Sequence, residues 1–311
     1  MIKIAAMALF LGIDGGGTKT ECAVGDEKSI LGRATASGSK VLRVGEEQAR
    51  AALREAILQA CKAAGADPGS VVRTCVGIAG ASHPDSRDIV RRLVRELVKA
   101  EVDVVGDMVV AHEAAFPGVS GVIVIAGTGS IAYGRNERGE TARAGGWGSV
   151  VSDEGSGDWI GRAAVAAALR AYDAGQSTAL VEGILNAWRL ATREDVARMA
   201  SSNPPPDFAV LFPQVLLAAD RGDGLARDIL MRAGTELAQL ARIVIRRLWP
   251  GPQAVRVRIS GGVFINSFCI QQVFENSLRA ERTQAAVTFG HVDAVAGAVE
   301  FARRAAAHVV V

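Results

Sequence analysis

The chain has 311 residues, enough for two domains of about 150 residues or one large domain, and 35 lysines and arginines stand against 33 aspartates and glutamates. With 49% hydrophobic and 22% charged residues and only four cysteines, neither a disordered tail nor a disulfide scaffold fits. The formal net charge of +2 gives no footprint for nucleic acid or an anionic membrane, so we expect a small-molecule partner.

The first predicted element is a buried strand in the apolar run Ile4–Leu11. Lys3 and this run superficially resemble a signal peptide, but no small-residue cleavage site follows and the run is too short to span a bilayer. The cysteines are widely scattered and form no Cys-x-x-Cys pair, which predicts reduced, buried thiols in a cytoplasmic protein. They are Cys22, Cys61, Cys75 and Cys269.

Strands and amphipathic helices alternate over the first hundred residues. The predicted strands are Leu9–Ile13, Glu21–Gly25, Val71–Gly77 and Val102–Val105, and the predicted helices are Glu46–Gly65 and Asp85–Lys99. This alternation predicts an α/β fold whose ligand site lies at the carboxyl ends of the strands.

The pattern restarts after Gly118. A strand at Gly121–Ala126, a turn at Gly127–Ser130 and a short segment closed by Gly134 repeat the opening design, which indicates a duplicated domain. The later predictions are a mainly helical region from Ser156 with a break at Asn203–Pro206, a strand at Val255–Ser260 and a terminal helix at His291–His308.

Both glycine turns are candidates for phosphate binding, because backbone N–H groups and hydroxyls can converge there. Their residues are Gly15, Gly16, Gly17, Thr18 and Lys19 in the first turn, and Thr128, Gly129 and Ser130 in the second. The first lacks the Lys-Ser/Thr order of a Walker A loop. The second fits a permissive dinucleotide pattern, but Gly134 disfavours the helix that this pattern requires. Either turn alone is compatible with a tight hairpin; two together favour phosphate binding.

Two aspartates follow predicted strands. Asp14 precedes the glycines, where a carboxylate could hold Mg²⁺, although capping of a turn is the alternative. Asp107 follows Gly106 at the end of another strand, a placement that suits a general base in phosphoryl transfer or, again, a simple turn.

The sequence resembles the N-acetylglucosamine kinase branch of the BadF/BadG/BcrA/BcrD ATPase family, within the actin, Hsp70 and hexokinase superfamily. The resemblance covers almost the whole chain, and the segment Gly145–Ser156 is its most specific part. The residues that carry it are Gly12–Thr20, Asp107 with Ala111, Gly127–Ser130, Gly145–Ser156 with Trp159 and Gly161, Ala219–Asp223 and Ser260–Val263.

The resemblance implies an α/β fold of two ribonuclease-H-like lobes with a cleft for ATP and substrate between them. The first lobe would be residues 1–117, completed by a C-terminal helix at about 291–311. The second would be residues 118–290, with a helical insertion. ATP, Mg²⁺, a sugar substrate and a homodimer are the partners that we expect.

The resemblance also assigns roles. Asp14 would bind Mg²⁺, and the two glycine turns would hold the phosphates, while Ala219, Gly261 and Gly262 would contact the nucleoside. Asp107 would deprotonate the 6-hydroxyl of N-acetylglucosamine or glucosamine. Trp147 and Asp153, with Ser130, would line the sugar site. From residue type alone, Trp147 would be predicted to be a core residue.

One position departs from the family pattern. Lys40 stands where the family has an asparagine that contacts the sugar. A lysine cannot accept a hydrogen bond and adds a charge, so the sugar could lack the amino substituent, be acidic or bind in another orientation. Alternatively, Lys40 points to solvent.

Three functions remain open: an amino-sugar kinase, an ATP-driven activator of a dehydratase or reductase, and a sugar or nucleotide sensor without turnover. The activator would need an iron–sulfur cluster held by paired cysteines, and the positions of Cys22 and Cys61 disfavour it. Retention of both Asp14 and Asp107 disfavours the sensor.

Overall fold

The structure is a computed structural model that describes residues 8–81 and 84–307. The chain divides into two compact units, which we call the first unit (Met1–Val119 with Val292–Val311) and the second unit (Ser120–His291). The predicted strand at Ile4–Leu11 lies partly outside the described residues, as does the end of the predicted C-terminal helix. Among the described residues, no helix is long and apolar enough to cross a membrane.

The first unit is a five-stranded sheet with helices packed against it. Its strands are β1 (Leu9–Gly15), β2 (Lys19–Gly25), β3 (Ile30–Ser37), β4 (Val71–Ile78) and β5 (Glu101–Gly106). Its helices are α1 (Val41–Val44), α2 (Glu46–Ala63), α3 (Pro84–Arg95), α4 (Asp107–Ala115) and α12 (Ala294–Ala307). The strand order is β3-β2-β1-β4-β5; β1 pairs with β2 in antiparallel and with β4 in parallel orientation.

The second unit contains another five-stranded sheet and a larger set of helices. Its strands are β6 (Gly121–Ala126), β7 (Ser130–Arg135), β8 (Thr141–Gly145), β9 (Val255–Ser260) and β10 (Ala285–Phe289). Its helices are α5 (Gly157–Asp173), α6 (Ala179–Trp188), α7 (Arg193–Ala200), α8 (Phe212–Asp220), α9 (Gly224–Leu248), α10 (Gly262–Asn266) and α11 (Phe268–Glu281).

The two sheets have the same topology. The order β8-β7-β6-β9-β10 repeats that of the first unit, with an antiparallel hairpin first and two parallel strands after it. The α/β fold of two actin-like lobes that the sequence predicted is thereby confirmed. Three strands lie in segments for which we predicted no strand: β3, β8 and β10. All three lie at sheet edges, where only one neighbour fixes the strand.

Helix α12 belongs to the first unit because glycines let it approach the sheet and α4 closely. A Cβ atom on Gly12 of β1 would lie 2.5 Å from the backbone nitrogen of Val299. A Cβ atom on Gly297 would lie 2.0 Å from the carbonyl oxygen of Val110 in α4. The last helix is therefore part of the core under β1, and it supports the strand that carries Asp14.

Candidate functional site

In the first unit, Asp14 and Asp107 lie at the same edge of the sheet. Asp14 is paired with Gly77 of β4, and Gly106 of β5 is paired with Ile78, the next residue of β4. Helix α4 begins at Asp107 and packs on Gly77, where a Cβ atom would lie 2.4 Å from Val110. The carboxyl ends of three neighbouring strands thus bring the two carboxylates together.

The first glycine turn closes the hairpin between β1 and β2. The N–H of Gly16 donates to the carbonyl of Lys19 at 2.9 Å. The carbonyl of Gly16 in turn accepts the N–H groups of Ser39 and Lys40, at 3.1 and 3.2 Å. The turn is therefore held from behind by the segment after β3, while Thr18 is exposed and available to a ligand.

Lys19 has a partner of its own. Its Nζ lies 2.9 Å from the carboxylate of Glu21, the residue paired with Asp14 across the hairpin. Gly15 lies where a Cβ atom would be 2.9 Å from the hydroxyl of Ser39, which accepts the hydroxyl hydrogen of Thr20 at 2.8 Å. The absence of a side chain at Gly15 lets the two segments touch.

Asp14 is surrounded by negative charge. The pKa of Asp14 is raised from 3.8 to about 6. Burial is the largest cause, the charges of Asp107, Glu21 and Asp293 contribute in the same direction, and Lys19 opposes them. Asp293 precedes α12, where its carboxylate accepts the N–H of Ala296 at 3.1 Å. A carboxylate in such a setting gains much from a nearby cation, which suits a magnesium ligand.

The chemistry of the donor set fits magnesium bound with its nucleotide. Among residues 8–81 and 84–307, no group of three or more His, Cys, Asp or Glu side chains is arranged to hold a metal by itself. Mg²⁺ is commonly held by one or two carboxylates together with substrate phosphates and water. Asp14 beside an open glycine turn supplies that kind of incomplete site.

Asp107 was predicted at the end of a strand, and the structure places it at the first position of α4. Its Oδ1 accepts the N–H of Met108 at 3.0 Å, which fixes the carboxylate. Burial raises the pKa of Asp107, while the Met108 N–H and the charge of Lys40 act in the opposite direction. A helix N-terminus also favours the ionised form.

Lys40 lies beside Asp107, close enough for its charge to lower the pKa of that carboxyl. It precedes α1 and is half-buried. Its Cε is 3.9 Å from the position that a Cβ atom on Gly80 would occupy. In the part of the chain that the structure describes, Lys40 forms no salt bridge. Of the two interpretations, a lysine at the candidate site fits better than one directed away from it.

In the second unit, the glycine turn between β6 and β7 is anchored by the start of α5. The N–H of Gly127 donates to the carbonyl of Gly129 at 2.9 Å. The N–H of Gly157 donates to the Gly127 carbonyl at 2.8 Å, and that of Asp158 to the Thr128 carbonyl at 3.2 Å. The turn is a hairpin rather than the start of a helix, which excludes the dinucleotide pattern.

Asp153 is part of the support of this turn. It has a φ of 64° and is 8% exposed. Its carboxylate lies 2.8 Å from the position of a Cβ atom on Gly129 and accepts the N–H groups of Ser130 and Gly148. Burial raises the pKa of Asp153, and these two hydrogen bonds oppose the rise. The hydroxyl of Ser130 donates to the Glu154 carbonyl at 2.7 Å.

Trp147 is exposed, contrary to the core position that residue type alone predicted. Its side chain is 69% exposed, and the guanidinium of Arg143 lies 3.9 Å from the ring centre. Gly146 and Gly148 on either side have positive φ values of 70° and 102°, so the loop turns in a way that presents the ring. An exposed indole is a natural platform for the apolar face of a sugar.

The predicted nucleoside contacts differ in their surroundings. Gly261 has a φ of 103°, and a Cβ atom there would lie 2.3 Å from the carbonyl oxygen of Ala126, whereas nothing lies within 4 Å of the same position on Gly262. Gly262 therefore offers open backbone. Ala219 is 6% exposed in the core of the second unit, and its carbonyl accepts the Nε–H of Arg227 at 3.0 Å. This placement gives no support to a nucleoside contact by the Ala219 side chain.

The predicted burial of the cysteines is confirmed for three of them. Cys22, Cys61 and Cys75 are buried, and Cys269 is partly exposed. Burial raises the pKa of each thiol, which makes them poor ligands for iron.

Three residues of the first-unit edge were missed by the sequence analysis: Glu21, Ser39 and Asp293. Glu21 could have been found from hairpin register, since it faces Asp14 across a four-residue turn. Asp293 has no such signal, because it reaches this edge from almost 280 residues away through the packing of α12.

Several known proteins are similar to this chain over most of its length. The sequence pattern of the BadF/BadG/BcrA/BcrD ATPase family matches residues 11–302. An N-acetylmuramic acid/N-acetylglucosamine kinase of Clostridium acetobutylicum is 32% identical over 302 residues, which cover 96% of this chain and 99% of the relative. An N-acetyl-D-glucosamine kinase of Dictyostelium discoideum is 33% identical over 255 residues, 77% of this chain and 80% of the relative. The crystal structure of a protein assigned as an N-acetylglucosamine kinase from Chromobacterium violaceum has a TM-score of 0.74 and 25% identity, covering 94% of this chain and 98% of its own.

Proposed function

Since the chain belongs to the BadF/BadG/BcrA/BcrD ATPase family, we propose that it is an ATP-dependent sugar kinase whose acceptor is an amino sugar, N-acetylglucosamine or glucosamine. The observation that carries this proposal is the carboxylate pair of the first unit. Asp107 is a half-buried base candidate at a helix N-terminus, and Asp14 lies at the same sheet edge next to the first glycine turn, in which Thr18 is exposed. A general base and a cation ligand are the two groups that phosphoryl transfer to an alcohol requires.

In the proposed mechanism, Asp107 accepts the proton of the 6-hydroxyl as the hydroxyl oxygen attacks the γ-phosphorus of ATP. Because Oδ1 already accepts the Met108 N–H, we assign Oδ2 to the sugar. The N–H of Met108 and the charge of Lys40 act against the effect of burial on the pKa of Asp107, and both therefore favour the ionised form that a base requires. ADP is the leaving group, and the proton stays on Asp107 until it passes to solvent.

Asp14 is the residue that we propose for Mg²⁺. The ion, when bound, neutralises the charge that develops on the phosphate oxygens. The exposed Thr18 and the N–H groups of the first turn would hold phosphate oxygens, as would Thr128 and Gly129 in the second unit. Gly262 would lie against the nucleoside, because its backbone is open.

For the sugar, we propose that Trp147 supplies an exposed apolar face. The Asp153 carboxylate keeps the loop of Trp147 next to Ser130 through its two backbone hydrogen bonds, and an oxygen of it would also accept a sugar hydroxyl. Lys40, in the first unit, adds a positive charge to the proposed sugar contacts. The relative from Clostridium acetobutylicum bears the name of an acidic sugar, N-acetylmuramic acid, and Lys40 makes that sugar a candidate acceptor here as well.

The test is ATP consumption by the purified chain with N-acetylglucosamine, glucosamine, N-acetylmuramic acid and glucose, each at several concentrations and with Mg²⁺. We expect turnover only when a sugar is present and a product phosphorylated at the 6-position, which ³¹P–¹H coupling identifies. Consumption of ATP that is independent of every sugar would contradict the proposal.

The role of Lys40 is tested by Lys40→Asn, which restores the family residue. We expect the preference for N-acetylmuramic acid over N-acetylglucosamine to fall, by about tenfold in kcat/KM for one charge-assisted hydrogen bond. The control is Lys28→Asn, a lysine of the exposed turn between β2 and β3 that should leave the ranking unchanged. An unchanged ranking in Lys40→Asn would remove this residue from sugar recognition.

The two other functions have their own decisive observations. A brown, iron-containing protein would support an activator of a dehydratase or reductase, although buried thiols with raised pKa values do not favour it. Tight sugar and nucleotide binding without ATP consumption would support a sensor. A cytoplasmic location, a homodimer and a cleft between the lobes stay predictions.

A further inference from the structure

The second unit contains a groove that the proposed reaction does not use. It has a volume of about 490 Å³ and lies between helices α5 and α9 and the segment Ser149–Ser152. This is within the size range of small-molecule sites, which run from about 300 to 1,000 Å³.

Three arginines give the groove its charge: Arg162 and Arg170 from α5 and Arg232 from α9. Arg162 already has partners, since its Nε lies 2.6 Å from the carboxylate of Asp158 and its guanidinium lies 4.1 Å from the ring centre of Phe208. Across the described residues, Arg170 and Arg232 have no carboxylate partner, and Arg232 lies only against the ring of Trp159, at 5.3 Å. Two guanidinium groups are thus available to an anion.

The rest of the lining suits a ligand with an apolar face. Ala163, Ala166 and Ile229 contribute apolar lining, and so do Val150 and Val151, which are 85% and 76% exposed. Glu154 is the acidic residue of the lining, and it accepts the hydroxyl hydrogen of Ser152 at 3.1 Å. Positive charge therefore exceeds negative charge in the groove.

We propose that this groove is a second binding site, for a phosphorylated sugar. Arg170 and Arg232 would hold the phosphate, since the forked guanidinium group matches the geometry of phosphate oxygens. The apolar lining residues would cover the C–H face of the sugar ring. The product of the proposed kinase is a phosphorylated sugar of this kind, and its role as the natural ligand rests on the proposed function. The existence of the binding site does not depend on that function.

The wall of the groove is continuous with the residues proposed for sugar binding. Glu154 contributes its side chain to the groove and its backbone carbonyl to the hydroxyl of Ser130. Asp153 lies between Ser152 and Glu154 and holds the N–H groups of Ser130 and Gly148. A ligand that orders this wall therefore acts on the second glycine turn, and we expect slower amide hydrogen exchange over residues 149–154 when it binds.

The experiment is calorimetric titration of the full chain with glucosamine 6-phosphate, glucosamine and inorganic phosphate, with a non-hydrolysable ATP analogue and N-acetylglucosamine at saturation to occupy the other site. We expect glucosamine 6-phosphate to bind, inorganic phosphate to bind more weakly and glucosamine not to bind. Because each guanidinium contributes charge-assisted hydrogen bonds, Arg170→Gln with Arg232→Gln should weaken binding by about tenfold or more.

Arg246→Gln is the matched control, because it removes the same charge from an exposed position on α9 outside the groove. The single variant Arg170→Gln changes only an exposed side chain. It still tests the site if the double variant does not fold. Equal affinity of the double variant and the unaltered chain would overturn the proposal. So would a double variant that changes the oligomeric state but not the affinity, because the groove would then be an interface between copies. Affinity and oligomeric state are both measured without turnover. A failure of the second-site proposal can therefore be distinguished from a failure of the proposed kinase activity.

Discussion

The two units share one sheet topology but differ in the chemistry at the ends of their strands. In the first hairpin, Asp14 and Glu21 form the pair before the last one; in the second, the corresponding pair is Ile125 and Ile131. The fifth strand of the first sheet leads into Asp107, whereas the fifth strand of the second sheet is followed by Gly290. Packing constrains the residues inside each sheet, whereas the residues at the strand ends are free to differ. A duplicated fold can therefore carry the carboxylates of a reaction in one copy only.

The same contrast holds for the two aspartates that we propose as sugar contacts, Asp107 in the first unit and Asp153 in the second. The Asp107 carboxylate is bound by backbone N–H groups of its own segment, those of Met108 and of Asp107 itself, and lies beside a lysine, and its second oxygen is assigned to substrate. Asp153 accepts two backbone N–H groups that join a loop to a hairpin. One carboxylate is poised for chemistry, and the other mainly holds structure. Variants at Asp107, Gly261, Asp14 and Asp153 test which residues at these strand ends serve the reaction and which serve the fold.

The largest expected effect is on turnover in Asp107→Asn. The amide cannot accept the hydroxyl proton, so we expect kcat to fall by about 10²–10⁴-fold while ATP binding is retained. Folding stability at neutral pH should be retained or should rise, because the neutral amide avoids the cost of burying a charged carboxylate, which is the main cause of the raised pKa of Asp107. Steady-state kinetics and nucleotide titration measure both. Asp103→Asn on β5, the strand that leads into Asp107, is the control, because the Asp103 carboxylate pairs with Arg73. Near-normal turnover would remove Asp107 as the base.

The next effect is on stability in the second unit. In Gly261→Ala, the new methyl group would meet the Ala126 carbonyl at 2.3 Å on a backbone with a φ of 103°, so we expect a loss of about 2–4 kcal/mol. In Gly262→Ala, one residue later, the new methyl group has open space. The free energy of unfolding should therefore stay within about 0.5 kcal/mol of that of the unaltered chain. Its expected effect is a higher KM for ATP. Urea unfolding of both variants measures these free energies. Equal losses of stability would contradict a structural role for Gly261 and an open, ligand-facing role for Gly262.

A pH-dependent effect is expected in Asp14→Asn. The carboxyl titrates at about 6 when folded and near 3.8 when unfolded, so the folded state holds its proton more tightly between these values. Its favourable contribution is complete below pH 3.8 and is lost as the pH rises through 6. Without Mg²⁺, Asn should therefore stabilise the chain by about 1–3 kcal/mol above pH 6 and by little near pH 4. A difference that does not vary with pH in urea unfolding would refute this account.

The smallest effect is expected in Asp153→Asn. Asn tolerates the positive φ, but it is uncharged and has one acceptor oxygen where Asp has two, so the hydrogen bonds from the N–H groups of Ser130 and Gly148 should weaken. We expect a loss of about 1–2 kcal/mol. Faster hydrogen exchange at Ser130 and Gly148 would accompany it. If stability is retained but turnover is lost as in Asp107→Asn, then Asp153 acts on the substrate rather than on the loop.

Much of the candidate site was visible in the sequence because its signals are local. A glycine run between two apolar strands fixed the position of each hairpin turn, and Asp14 and Asp107 were singled out by their places after strands. The long helix at Glu46–Ala63 was predicted from its apolar period. Helix α4 was not, because its first half is nearly all apolar and shows no helical period.

The remainder depended on packing between distant segments. The strand β3 carries few buried side chains, so its pattern does not stand out until β2 pairs with it. Lys40 lies close to Asp107 although 67 positions of sequence separate them. Asp293 lies near Asp14 because α12 packs against the first sheet. Sequence by itself therefore determined which residue types stand at which strand ends, since that is a property of local periodicity. Only the tertiary structure decided which charges face one another and how far burial shifts them, because both depend on neighbours that the chain order does not reveal.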